Sequence, residues 1–591
     1  MASLKGVCIE FTDVRFVVKD RRSGAMLDIL KGVTGKVEAN RLTVIMGSSG
    51  AGKTTLLDVL ACNLFGSGTV TGEVLVNGAP RRTSEFTQIS SYVLQRDVLL
   101  ASSTVRESIM IAAQLKLPRT MSHRDKVERV DEVLRELELE GCQHTLIGDE
   151  LLNMKGISGG QRRRVSVGIE LVKSPRVLFL DEPTSGLDSE MAVSLIDTLV
   201  KLARENRTIC TTIHQPNSLI TSKFDDFLLL HAGSTAYFGL WTGAVDHFAA
   251  AGCPCPQYVN PTDYFMSVLK EKGDELVLAW EKQEQQGRAC GLDLEAPPPS
   301  SASLEAAAGA KGAQEEPAKL QVAPKVPWWY QVWVLSGRMM RMWWRNPAMF
   351  MSEITQYIFM GVFIGLVYLQ VSDSLATGVN DRAASMWFAM AVLSFTPSYT
   401  AAVLWDKDRL LLRRESQQGM YSVTAWFAAR TGTVTPMQIF QTSLFCVLMY
   451  FMVGYVPDFV NFLVFLAAFC MFQLVSETVG VMCAIVTKSS TYAVLILTFI
   501  LLFLLSKVSY LTYAYAAVMA NEFNNVTFYT ADGEPVPGSE VFSGGVPGVS
   551  LTGVDNGLSI GANLGILFGI FVGARVLAFV LLFIMAKRKW L

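Results

Sequence analysis

Charge is scarce in this 591-residue chain: Asp, Glu, Lys and Arg make up 18% of it and leave a net charge of −2. So small a balance gives electrostatics no reason to place a nucleic-acid partner here. Cysteine offers no framework either. The ten cysteines are scattered, three of them (Cys446, Cys470 and Cys483) inside apolar runs, which excludes the regular spacing of a disulfide-stapled secreted domain. The first residues, MASLKGVCIEFTD, lack the apolar core of a secretory signal, so the N-terminus is expected to stay in the cytosol. Histidine is rare as well. His123, His144 and His231 have no visible partners, and Cys253-Pro254-Cys255 beside His247 is poorly spaced for zinc.

What the chain has in quantity is apolar side chains, half of all residues, and a length that calls for more than one domain. Residues 1–270 alternate short apolar strands with charged helical patterns, the signature of an α/β domain. In its early strand Phe16 is weighed as a stacking surface for a base, against the commoner role of core residue. Residues 286–326 hold Pro297-Pro298-Pro299-Ser300-Ser301 and an Ala/Gly/Glu-rich stretch with too little apolar surface to fold. The expected division is a cytosolic domain at 1–270, a flexible linker at 271–327 and a membrane domain at 328–591.

Two motifs in the first domain carry chemistry. Gly47-Ser48-Ser49-Gly50-Ala51-Gly52-Lys53-Thr54 fits the phosphate-cradling pattern, with an apolar strand before it (Leu42 to Met46) and a helical run from Thr55 after it. Small residues let backbone N–H groups turn in on a phosphate, and the helix N-terminus adds its dipole. Lys53 supplies a point charge, and the Thr54 hydroxyl suits Mg²⁺. The second motif is Val177-Leu178-Phe179-Leu180 ending in Asp181-Glu182. An acid there can hold Mg²⁺, and its neighbour can polarise an attacking water.

Before that strand stands Ile157-Ser158-Gly159-Gly160-Gln161, and here the sequence resembles the ATP-binding cassette superfamily, whose signature loop is Ser-Gly-Gly-Gln. The resemblance implies a nucleotide site formed by Gly47 to Thr55 of one chain and Ser158 to Gln161 of another. It makes Gln95 the glutamine that links Mg²⁺ to the membrane domain and places Asp188, in Ser185-Gly186-Leu187-Asp188, at a dimer contact. It makes His214 the γ-phosphate histidine, Glu182 the general base, and Thr54, Gln95 and Asp181 the organisers of Mg²⁺. The run Arg162 to Arg164 is read as a solvated helix start.

Residues 328–346 hold five of the eleven tryptophans together with Arg338, Arg341 and Arg345, which suits a helix in the membrane interface. Six apolar stretches follow, at 351–370, 383–405, 435–455, 459–486, 490–513 and 560–585, each near the ~20 residues that cross a bilayer. Lys407, Arg409, Arg413, Arg414, Arg430, Lys488 and Lys587-Arg588-Lys589 fall on one side of these spans. The positive-inside rule then makes both termini cytosolic and the long loop 521–557 external, with a glycosylation sequon at Asn525-Val526-Thr527.

A single cassette before six spans resembles the G subfamily, half-transporters of the pigment, sterol and multidrug type. Asn260-Pro261-Thr262-Asp263-Tyr264, Arg414-Glu415 with Tyr421, and Asn521-Glu522-Phe523 extend that match, while loop 521–557 lacks the cysteines many members carry there. The resemblance implies an α/β P-loop ATP-binding cassette domain followed by an all-α, six-helix transmembrane domain of the ABC-2 type. It implies ATP and Mg²⁺, a homodimer or a heterodimer with another half-transporter, and a place in the plasma membrane before an internal one. Cargo would pass between copies of spans two and five, with Phe395, Thr396, Pro397, Leu497, Phe499 and Phe503 as wall residues. That apolar, aromatic lining suits lipids, sterols or flat xenobiotics. The alternative is a non-transporting membrane regulator that uses the cassette as a nucleotide switch, which a damaged Glu182 or signature loop would favour; both are intact. Glu477 and Arg575 stand at similar depth in spans four and six; either they face each other or share a polar cavity, or Arg575 snorkels inward and Glu477 meets backbone or water.

Overall fold

Apolar runs too short for helices become strands, and those covered on both faces lose the polar alternation of a half-exposed sheet. Both effects shape the first of two units. The computed structural model describes residues 6–19, 24–64, 68–149, 154–289, 326–487, 489–504, 510–544, 546 and 556–587. Contacts divide it into Met1–Val326 and Pro327–Leu591.

In the first unit β1 (Ile9–Lys19), β2 (Met26–Val37), β4 (Gly68–Val76) and β5 (Ala79–Pro80) form an antiparallel sheet in the order β2-β1-β4-β5. The larger sheet contains β3 (Leu42–Gly47), β6 (Ser90–Val93), β7 (Val177–Leu180), β8 (Thr208–Thr212), β9 (Asp226–His231) and β10 (Ser234–Leu240), in the order β10-β9-β3-β8-β7-β6. From β9 to β6 the strands are parallel, and β10 turns back on β9. Every residue of β3, β7 and β8 is buried.

Helices α1 (Lys53–Leu60), α2 (Thr83–Ile89), α3 (Val105–Lys116), α4 (His123–Glu136), α5 (Gly159–Leu171), α6 (Ser189–Arg204), α7 (Ser218–Thr221), α8 (Trp241–Ala250) and α9 (Pro261–Ala289) complete the unit. Their starts follow capping chemistry: Thr104 with Glu107, Ser122 with Asp125 and Ser158 with Gln161 are reciprocal boxes. The α9 helix corrects the expected linker boundary. It continues past 270, kinks at Lys272, and buries Leu276 and Trp280, with Gln283 bonded to His247 at 3.0 Å. Residues 290–325 of the expected linker lie outside the described residues.

Among its described residues the second unit is helical apart from the short hairpin of β11 (Thr527–Tyr529) and β12 (Pro535–Pro537). Its helices are α10 (Trp328–Arg345), α11 (Pro347–Val367), α12 (Gly378–Gln417), α13 (Val423–Val453), α14 (Phe459–Val486), α15 (Ser490–Leu504), α16 (Tyr510–Phe523), α17 (Gly538–Phe542) and α18 (Ile560–Lys587). Among the described residues five helices are long and apolar enough to cross a membrane, on α11, α12, α13, α14 and α18. The expected fifth span, 490–513, does not form one such helix there: Ser490–Ile500 is a shorter apolar stretch, α16 begins at Tyr510, and 505–509 lie outside the described residues. Within the expected external loop 521–557, α16 continues to Phe523 and the hairpin follows.

One charge placement also changes. Arg430, expected between the second and third spans, lies inside α13 and is buried. Glu477 on α14 accepts from Arg430 at 2.9 Å and from Arg575 on α18 at 2.7 Å, with Asp408 3.6 Å from Arg430. Of the two readings for Glu477 and Arg575 the structure takes the pair, with a second arginine added. Nearby in sequence, Glu415 accepts two N–H bonds from Arg338 and one O–H bond from Tyr421. Asn521-Glu522-Phe523 is buried too. Asn521 donates to the Asn461 carbonyl, Glu522 pairs with Arg382, and Phe523 packs in the core.

Candidate functional site

Strand order gathers what the sequence scatters. In β3-β8-β7-β6 the carboxyl ends carry, side by side, Gly47, then His214, then Asp181-Glu182, then Gln95. The crevice beyond the carboxyl ends of a parallel sheet is where such folds take ligands.

The loop after β3 is built for close backbone approach. Gly52 has φ 96, and a Cβ there would meet Leu30 Cδ2 at 2.9 Å, so only glycine fits. Gly52 is the N-cap of α1 and has no side chain to bond the first-turn amides, leaving that helix end open to an anion. Ser48, Ser49, Gly50 and Ala51 form the rest of the loop, and Thr54 and Thr55 open α1. Lys53 is buried. Its Nζ donates to the Gly47 and Ser48 carbonyls at 2.8 and 3.0 Å, and burial lowers its pKa against the raising pull of Glu182 and Asp181. A phosphate would offer that ammonium a charged partner in place of neutral carbonyls.

Asp181 ends β7 with 5% exposure. Thr212 and Thr54 donate to its Oδ1 at 2.8 and 3.1 Å. Burial raises its pKa, the two hydroxyls and Arg163 lower it, and Glu182 raises it further. A buried carboxylate beside a hydroxyl is a donor set for a hard cation such as Mg²⁺, so these residues fit that ion. Glu182 adopts φ 41, a conformation that costs a non-glycine residue about 1–3 kcal/mol and clusters at functional sites. Its N–H donates to Thr212 Oγ1 at 2.8 Å, and Gln95 Nε2 donates to its Oε2 at 2.6 Å. With the amide N–H committed to a carboxylate, the Gln95 oxygen is the atom left for a cation. His214 follows β8 and is exposed.

The signature residues stand elsewhere, at the start of α5. Ser158 and Gly159 are exposed, Ser158 and Gln161 bond reciprocally, and Gly160 packs on Met191. Asp188 caps α6 through the Met191 N–H at 2.8 Å. Phe16 is buried, with its ring against Gly68, which gives it the core role rather than base stacking.

Sequence reasoning missed two features. Arg163 is buried, not solvated as expected, and reaches both Gln95 and Asp181 through their carbonyls. Asn260 and Thr262, at the start of α9, both donate to the Pro216 carbonyl, holding the turn two residues beyond His214. The first is invisible from spacing; the second had a signal in the Asn260–Tyr264 match.

The proposed wall residues are not gathered on one surface. Pro397 and Leu497 are buried, Phe395 and Thr396 are half-buried, and Phe499 is 61% exposed. Two residues apart on a helix point to opposite sides, so Leu497 and Phe499 do not share a face. The Phe503 side chain lies outside the described residues.

Comparison with known proteins gives three family matches: ABC transporter over residues 30–185, and ABC-2 type transporter over 330–506 and again over 214–278. ABC transporter G family member 22 of Arabidopsis thaliana is 32% identical over 84% of this chain and 69% of its own. The rat ATP-binding cassette sub-family G member 5 is 34% identical, covering 76% and 69%. A mouse broad substrate specificity ATP-binding cassette transporter, ABCG2, is 30% identical, covering 76% and 71%.

Proposed function

The chain belongs to the ABC transporter G family, and from that premise we propose that it is a half-transporter: an ATP-driven exporter, dimeric, acting on hydrophobic, lipid-like or xenobiotic cargo. The observation that carries this reading is the crevice at four adjoining strand ends, with Gln95 bonded to Glu182 at 2.6 Å, in a chain whose described residues also include five helices long and apolar enough to cross a membrane.

The loop Gly47 to Thr55 binds the phosphates through amides and Lys53. Thr54, Asp181 and Gln95 would hold Mg²⁺, which neutralises phosphate charge. Glu182 takes the proton of a water attacking the γ-phosphorus as the bond to the β–γ bridging oxygen breaks. Gln95 orients the carboxylate, and His214 assists at the γ-phosphate. Ser158 to Gln161 would serve the nucleotide of a second chain, and Asp188 would lie at the dimer contact. Closing and reopening of two cassettes would then act on the segment 406–425, which is the end of α12, a short turn and the start of α13.

A relative named for broad substrate specificity supports a wide cargo range. Phe395, Thr396 and Phe499 keep the exposure a wall between two copies requires. The positive-inside rule supports cytosolic termini. Plasma-membrane residence and the choice between homodimer and heterodimer belong to the same proposal. The test is ATPase and vesicle uptake by the reconstituted full chain across a panel of lipids and xenobiotics. Stimulated, vanadate-sensitive uptake is expected; ATPase that no compound alters, with no uptake, would overturn export.

A further inference from the structure

A guanidinium inside a protein is tolerated only when its N–H groups are answered by acceptors. Arg163, in the second turn of α5, has a side chain only 3% exposed, and its acceptors are few and particular. Nη1 donates to the Leu94 carbonyl at 2.5 Å, the Asp97 carboxylate at 2.9 Å and the Gln95 carbonyl at 3.2 Å. Nη2 donates to the Asp181 carbonyl at 2.9 Å. Every acceptor is therefore either on the segment that presents Gln95 or on the strand end that presents Asp181 and Glu182. Those two segments come from β6 and β7, neighbours in the sheet whose pairing stops at Val93 and Leu180. One more backbone bond follows, from the Asp181 N–H to the Val93 carbonyl at 3.0 Å, and past it the Gln95 to Glu182 bond links the two segments from side chain to side chain.

We propose that Arg163 is a positioning residue for ATP hydrolysis, a fork that sets the spacing of the Gln95 and Glu182 segments and so keeps the glutamine amide on the carboxylate. This rests on the reading of Glu182 as the water-activating group. The planar fork is what the job requires: its two nitrogens reach the two segments at once, whereas a lysine ammonium is a single point at the end of a flexible stem. The position has a second consequence. Arg163 lies in the second turn of α5, the helix that Ser158 caps, so a displacement of the signature loop along α5 would reach the hydrolytic pair through this side chain.

The test compares Arg163→Lys, Asp97→Asn and Glu182→Gln in the purified full chain. For Arg163→Lys the expected result is a split. Affinity for a non-hydrolysable ATP analogue stays within about twofold while kcat falls by roughly 10- to 100-fold, the scale of a small displacement at a reacting centre. Asp97→Asn weakens only the loop side and keeps Arg163 in place, so a smaller loss in kcat, again without loss of affinity, is expected. Arg163→Lys with kcat within twofold of the parent, or with affinity falling as far as kcat, overturns the proposal. So does failure of both Arg163→Lys and Asp97→Asn to fold, which would make the cluster a structural one. If Glu182→Gln turns over normally, the reading of Glu182 falls instead, whatever the other two variants do.

Discussion

At the scale of single residues the crevice divides binding from turnover. Glu182→Gln keeps the size and the bond to Gln95 but removes the charge that takes a proton. ATP binding should survive while hydrolysis falls by about 100-fold or more, the scale of a lost general base. Lys53→Met should instead weaken nucleotide binding, because its ammonium is the charge buried in the loop. Nucleotide titration and steady-state hydrolysis on both variants separate the two defects. Asp226 gives a pH-dependent prediction. It starts β9 beside β3, and burial pushes its carboxyl up to about 6, against the lowering effect of Arg41, 3.4 Å away. A raised folded pKa means the contribution to stability is full below the unfolded value and is lost as pH rises through about 6. Asp226→Asn escapes that loss, so its melting temperature relative to the parent should rise between pH 5 and pH 8, by the equivalent of on the order of 2 kcal/mol. The opposite trend in a thermal melt would count against it. Single residues were legible where their partners are near in sequence. Gly47 to Thr54 and Ser158 with Gln161 are local patterns, whereas Arg163 finds acceptors 66 to 69 positions away, and nothing in a run of three arginines tells the buried one from its neighbours.

At the scale of elements, α13, α14 and α18 meet through a charge cluster whose arithmetic can be tested. Asp408, Glu477, Arg430 and Arg575 sum to zero. Glu477→Met leaves two arginines sharing one carboxylate, and breaking a buried pair in this way costs about 3–5 kcal/mol. Glu477→Met with Arg575→Met returns the cluster to one pair, Asp408 with Arg430. The double variant should therefore yield more folded protein in detergent than Glu477→Met alone, by size-exclusion and melting. Equal or lower yield would deny the coupling. Hydropathy announced these helices but not their ends. The apolar window of α12 stops at Asp406, yet the helix runs on to Gln417 with Asp408 and Glu415 partnered inside the fold, and α13 stays apolar over its whole length while holding Arg430. Arg430 is the clearest case, since its partner Glu477 is 47 positions away.

At the scale of the whole molecule the prediction concerns number of chains. One copy carries Lys53 and Ser158, and under the proposed arrangement these serve different nucleotides. Chains carrying Lys53→Met alone, or Ser158→Arg alone, should each form dimers with two damaged sites. Co-expressed, half the dimers are mixed, and each mixed dimer has one intact site, so about a quarter of the parental hydrolysis should return. No recovery from verified mixed dimers would remove the shared-site arrangement. Recovery only after adding a different half-transporter would replace the homodimer with a heterodimer.

The length of α12 has a mechanical consequence. Its forty residues span about 60 Å, twice the ~30 Å hydrocarbon core of a bilayer. The apolar window ends at Asp406, and the helix runs on to Gln417, about 16 Å farther. Such a helix is a lever: pivoting by about 5° near its middle, where Pro397 removes a helix hydrogen bond, swings each tip through roughly 2.5 Å, enough to trade one set of hydrogen-bond partners for another.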